Sequence, residues 1–193
     1  SQFAAKLDRK VLAVEPFTNN IHHLHKAAHL DSTHKNILLL QNAVFNKSGE
    51  LIQMKIDKNN LIGPTILLET KLDSNEEKRF SIYQAETITL DDLIAYLPKK
   101  DDGSEFKEAI LKIDIEGFES HAFQSANKLF DRLDIRIIFM EYGVARWNMC
   151  ERKTEIINMI AFLTSKGYKP YLFGIPLHLE DFKNWPFDIQ WLK

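Results

Sequence analysis

Three carboxylates stand at positions from which they can do chemistry. Glu15 closes the apolar run Val11-Leu12-Ala13-Val14, Asp114 emerges from the run Ala109 to Ile115, and Glu141 closes Ile135 to Met140. Unbroken apolar runs this short suit strands covered on both faces, as in parallel sheets. In open sheets of that kind, ligands bind just outside the carboxyl ends of the strands. An acid at such an end can accept hydrogen bonds from both hydroxyls of a ribose, a role that suits Glu15. Asp114 reaches the same edge and can take the proton of a reacting hydroxyl. Each has a plainer alternative. Glu15 and Glu141 could be solvated strand ends, and Asp114 or Glu116 could complement a helix starting at Gly117, a local effect of up to ~1 kcal/mol. Taken alone, Glu15 would serve a nicotinamide dinucleotide as well as another adenosine.

The elements that must hold these acids read as alternating strands and helices. After the strand ending at Glu15, Thr18 is placed to cap a helix with Ile21, Leu24 and Ala28 on its inner face. Ile37 to Leu40 is the next strand, running on towards Val44 and Phe45. From Asn46 the pattern changes: Lys47-Ser48-Gly49 signals a turn, and Ile52, Met54 and Ile56 alternate, as do Phe80, Ile82 and Gln84. This predicts an antiparallel insertion around residues 46–88. Thr89 caps a helix through Leu97, with Asp92 as a fair partner in a capping box. A helix from Gly117 carries Phe118, Ala122, Ala126 and Leu129 as one stripe, and Glu151 to Lys166 forms another, closed by Gly167. Tyr168 to Phe173 and the aromatic tail supply the final strands. The whole is expected to be one α/β domain over residues 1–193, an open sheet with helices on both faces.

Composition removes several other classes. The 193 residues carry a formal charge of -2 and a pI near 6.4, with no basic stripe for nucleic acid or an anionic membrane surface. No apolar run approaches the roughly 20 residues of a membrane helix. The sequence does not start on a methionine and has no signal-peptide layout. Cys150 is the single cysteine, so an intrachain disulfide is excluded, which fits a reducing compartment. His22, His25 and His29 fall on one side of a helix. Zinc uses such rows, but no cysteine or nearby carboxylate completes a closed site, and no metal is expected. Trp147, Trp185, Phe187 and Trp191 read as packing rather than a ligand cage.

Lys112-Ile113-Asp114-Ile115-Glu116-Gly117-Phe118-Glu119 resembles the Lys-Ile-Asp-x-Glu-Gly-x-Glu signature of the FkbM-type methyltransferases. Val14-Glu15-Pro16, Asn42-Ala43-Val44 and Thr89-Leu90-Asp91-Asp92-Leu93 agree with that family in order and spacing, so the resemblance covers roughly Phe3 to Gly143. It implies a Rossmann-like class I methyltransferase sheet, S-adenosylmethionine as methyl donor, and O-methylation of a hydroxyl on a small molecule or glycan. It also implies that Glu15, Pro16, Asn42, Ala43 and Asp114 lie beside the donor, and that Asp114, Glu116 and Glu141 form the catalytic group. Glu15 goes to the ribose, Asp114 to the reacting centre, and Glu116 and Glu141 to supporting roles. Glu119 supports the helix it opens, and Lys112 pairs with Asp114. In the family, a strand and glycine-rich turn precede the helix whose tail is read in Phe3, Ala4 and Leu7. That first strand and loop are missing here, so these residues alone are expected to be aggregation-prone or partly molten and not to bind the donor measurably. A methyltransferase-like scaffold without activity is the competing reading, and an NAD-binding Rossmann enzyme is a third.

Overall fold

Two aliphatic runs, Val11–Val14 (β1) and Ile37–Leu40 (β2), pair in parallel, Val11 beside Ile37 through Val14 beside Leu40. They belong to a computed structural model that describes residues 1–58, 60–67, 78–142, 149–186 and 188–193. The chain divides into two units, Ser1–Phe106 and Lys107–Lys193. Sheets and helices mix in both, giving an α/β fold.

In the first unit, α1 (Gln2–Lys6) precedes β1, and α2 (Thr18–Leu30) joins β1 to β2. The side chains of β1 are half-buried throughout, and Leu38 of β2 is exposed. The expectation of strands covered on both faces therefore fails here, because a two-stranded sheet is too narrow to bury either face fully. Thr18 does not cap α2. Phe17 occupies the cap position, and the Thr18 hydroxyl instead accepts a hydrogen bond from the Gln41 side chain at 2.8 Å.

The strand expected from Ile37 to Phe45 is broken in two. Ala43–Val44 (β3) leaves β2 and pairs in parallel with Phe80–Ile88 (β6). The predicted insertion is a sheet in the order β3-β6-β4-β5, with Leu51–Asp57 (β4) antiparallel to both β6 and Asn60–Ile66 (β5). Met54 and Ile56 are buried, as the alternation predicts. In β6 the inward parity is Ala85 and Thr87, while Ile82 is exposed.

The helix after Thr89 is a 3-10 segment, Asp92–Tyr96. The Thr89 hydroxyl accepts the Asp92 N–H at 3.1 Å and donates to its carboxylate at 2.8 Å, so the two ends satisfy each other. Thr89→Ala is expected to cost about 0.5–2 kcal/mol by orphaning that N–H. A shift in the urea midpoint measures it; an unchanged midpoint would mean water replaces the hydroxyl.

In the second unit, Glu108–Ile113 (β7) and Asp134–Glu141 (β8) are parallel, and they are linked by α3 (Glu119–Phe123) and α4 (Asn127–Arg132). Phe118, Ala122, Ala126 and Leu129 are all buried, but the helix carrying them is interrupted. The Ser125 hydroxyl donates to the Ala122 carbonyl, a local bond that competes with the helical ladder at the break. After α5 (Met149–Ser165), Gly167 takes φ +89, the left-handed stop that glycine suits. Ile156, Met159 and Leu163 of α5 are buried.

Lys169–Leu172 (β9), Ile175–Pro176 (β10) and Asp188–Leu192 (β11) complete a sheet in the order β10-β9-β11-β8-β7. Trp185 and Trp191 are packing residues, their rings 5.5 Å apart. Trp147 and Phe187, read above as aromatic packing, lie outside the described residues. No described helix is long and apolar enough to cross a membrane.

Candidate active site

Parallel pairing places the ends of neighbouring strands side by side. In the second unit Ile113 is in register with Met140, so the next residues, Asp114 and Glu141, emerge together at the carboxyl edge. Glu116 joins them: one oxygen from each of Asp114, Glu116 and Glu141 lies within 4.8 Å of the others. The three residues predicted as catalytic thus form one cluster.

The turn holding Glu116 is sharp. Glu116 and Gly117 both have positive φ, +55 and +97. The first is a conformation that a side chain resists and the second is one that glycine adopts freely. Glu119 fixes this turn. Its side chain is fully buried, and one carboxylate oxygen accepts the N–H groups of Ile115 at 2.9 Å and Gly117 at 3.4 Å. Sequence reasoning gave Glu119 only a role in its helix. The structure shows it reaching back to hold the loop that presents Asp114 and Glu116.

Lys112 pairs with Asp114 at 2.6 Å, as expected from their shared strand parity. Repulsion among the acids is relieved in two other ways. Burial pushes the Glu141 carboxyl up to about 8, helped by its hydrogen bond with Asp114 and by the charges of Asp114, Glu119 and Asp188. Burial also pushes Glu119 up to about 7, against the pull of the N–H groups it accepts. With its carboxyl raised in this way, Glu141 can keep a proton and share it with Asp114. The same three oxygens are a donor set of the kind a hard divalent cation takes.

This has a measurable consequence for stability. A Glu141 carboxyl raised from 4.5 to about 8 keeps its proton in the native state while the unfolded chain loses it. The stabilisation is complete below the unfolded value and is lost as pH rises through the native one. Glu141→Gln should therefore flatten the fall in urea midpoint between about pH 5 and pH 8. An unaltered slope would mean that Glu141 ionises like an exposed acid.

Apart from Asp114, which lies in the second unit, the predicted donor-side residues lie in the first unit. Glu15 and Pro16 follow β1, and Asn42 and Ala43 follow the adjacent β2. The two ends are tied by the Glu15 N–H to the Leu40 carbonyl at 3.0 Å, besides the Gln41–Thr18 bond. Asn42 donates to the Glu86 carbonyl at 3.2 Å, and Ala43 is buried at the start of β3. One Glu15 oxygen accepts the Phe17 N–H at 2.9 Å. The Phe17 ring lies 5.1 Å from that of Tyr83, whose hydroxyl is pushed up by burial and by the Glu15 charge. Tyr83 arrives from β6, far along the chain, and no local pattern announces it.

Glu15 also borders an open cavity of about 550 Å³, lined further by Gln2, Phe3, Asn20, His23 and Leu24. The Gln2 amide nitrogen is buried without a hydrogen-bond partner. A carboxylate, an unpaired donor and a volume within the range of small-molecule sites fit the nucleoside part of a ligand.

A mixed α/β chain with acids at its parallel strand ends is one of several enzyme classes, and comparison with known proteins narrows the choice. The family model described as Methyltransferase FkbM domain matches residues 3–170, and the chain belongs to that family. Among solved structures it is similar to Methyltransferase FkbM from Methylobacillus flagellatus KT, at 13% identity and a TM-score of 0.48. The match covers 96% of this chain but 36% of that one, so this chain spans little more than a third of its length. No curated protein matches.

Proposed function

We propose that the protein is an S-adenosylmethionine-dependent O-methyltransferase acting on a hydroxyl of a small molecule or glycan. In this reading the two units are parts of one Rossmann-like methyltransferase domain. Family membership supports the reaction class, and the observation that carries the assignment is the cluster of Asp114, Glu116 and Glu141 at the ends of β7 and β8.

When bound, the donor supplies an electrophilic methyl group. Glu15 holds the ribose through its carboxylate, while Pro16, Asn42 and Ala43 shape the adjoining strand ends. Methyl transfer to oxygen is an in-line displacement, in which alignment contributes much of the rate. Asp114 would orient the acceptor hydroxyl and take its proton on a carboxylate oxygen as the methyl carbon passed to the hydroxyl oxygen from the donor sulfur, which would be left as a neutral thioether. Glu141 carries the shared proton and so leaves Asp114 ionised for this task. Glu119 and Lys112 hold Asp114 in place.

The test is transfer of labelled methyl from S-adenosylmethionine by the full-length protein to a panel of sugars, polyols and phenols, alongside calorimetry with S-adenosylhomocysteine and NAD. Label on a hydroxyl, with binding of the sulfur ligand and none of NAD, supports the assignment. Binding without transfer to any acceptor would support a scaffold, and binding of NAD alone would move the protein to another enzyme class.

A further inference from the structure

Helix α2 presents His22, His23, His25 and His29 to solvent, while its Ala28 is buried. Two of them converge. The Nε2 atoms of His25 and His29 lie 3.2 Å apart, and their ring centroids are 4.5 Å apart. Four-residue spacing puts the two rings one turn apart on the same helical face. A third ring limits their freedom: His34, from the 3-10 turn His34–Asn36, stacks on His29 at 4.4 Å with the planes 8° apart.

We propose that His25 and His29 form a two-imidazole site for a borderline divalent transition metal, of the class of Zn²⁺, Cu²⁺ or Ni²⁺. Metal–imidazole bonds of about 2.0–2.1 Å at tetrahedral or right angles require nitrogens about 2.9–3.4 Å apart. The observed separation falls within that bite without movement of the helix. Without a cation, two ring nitrogens at this distance must hold one proton between them, since facing lone pairs repel. A metal satisfies both at once. The stacking of His34 holds the His29 ring, so less side-chain freedom is lost on binding. Both imidazoles are exposed, leaving the remaining coordination positions to water or to an external ligand. Neutral nitrogen ligands select this class over Mg²⁺ and Ca²⁺, which prefer oxygen. That preference separates the site from the acid cluster at the ends of β7 and β8.

The tag-free full-length protein is titrated calorimetrically with ZnCl₂ and CuCl₂ in a weakly coordinating buffer, with and without excess MgCl₂. One saturable site is expected, tighter for copper than for zinc and unaffected by magnesium. His25→Gln and His29→Gln should each weaken it by about tenfold or more, since one of two protein ligands is lost. His22→Gln should leave it within about twofold, and helical circular dichroism should be unchanged in all three variants. Absence of saturable uptake, equal affinity in the His29→Gln variant, or displacement by magnesium would each overturn the assignment.

Discussion

Asp114→Asn is expected to lower methyl-transfer turnover by about 10²–10⁴-fold, the range a positioned acid–base group contributes. Affinity for S-adenosylhomocysteine should stay within about threefold, because that ligand does not report on the proton. The substitution keeps the size of the side chain and removes its charge. It also breaks the Lys112 ion pair, but that pair is partly exposed and such pairs contribute little. A further readout follows from Glu141. Losing the Asp114 charge removes one of the influences that hold the Glu141 proton, so the alkaline limb of the residual activity should move to lower pH. Equal losses of turnover and affinity would place Asp114 against the donor instead. Unchanged turnover would reduce it to a member of the turn that Glu119 fixes.

The second large effect concerns the donor. Glu15→Ala should cost about 1.5–3 kcal/mol of affinity for S-adenosylhomocysteine, the usual worth of a hydrogen bond to a charged group. That corresponds to about 10–150-fold in the dissociation constant. Alanine also abandons the Phe17 N–H that Glu15 accepts, so part of the loss could come from a loosened turn. Glu15→Gln separates the two contributions, since its amide oxygen can still accept that N–H. A ribose role predicts that the glutamine variant also loses affinity; full recovery with glutamine would assign the effect to the turn. In both variants the Tyr83 hydroxyl should titrate at lower pH, because the charge that helps raise it is gone. Ultraviolet titration of tyrosine follows this without any ligand.

The strand ends were legible because each apolar run stops at an acid, and parallel pairing then fixes where those acids emerge. That reasoning located Asp114 and Glu141 and, through the local spacing of the signature, Glu116. It worked because the cluster depends on short-range sequence and one strand register. Long-range contacts were not legible. Nothing near Glu15 indicates that Tyr83 will stand beside it, and nothing in β8 indicates that β11 will become its neighbour. Capping was read correctly at Thr89 only in that residue's reciprocal bonds with Asp92, three residues on, since Asp91 holds the cap position of the 3-10 segment. It was misread at Thr18, where Gln41 from another strand end takes the hydroxyl. The break between α3 and α4 was hidden because the buried stripe continues across it. Periodicity reports which residues face inward, and it does not report whether the backbone between them stays helical. Glu119 was undervalued for a related reason: position in a first turn suggests support of the helix, whereas its burial and its backward hydrogen bonds appear only in three dimensions.

The place of β11 bears on how the chain is made. It lies between β8 and β9 and pairs with β8 from Asp188 beside Glu141 to Leu192 beside Ile137. A ribosome delivers β8 well before it delivers that partner. During the interval one edge of β8 has open backbone groups and an apolar surface on which the fully buried Trp191 has yet to settle. Pairing across such a sequence separation is slow to form, and waiting edges of this kind are where nascent chains associate wrongly. The surroundings of Glu141 are thus settled only after a further stretch of chain has been made, when Asp188 comes to lie beside it.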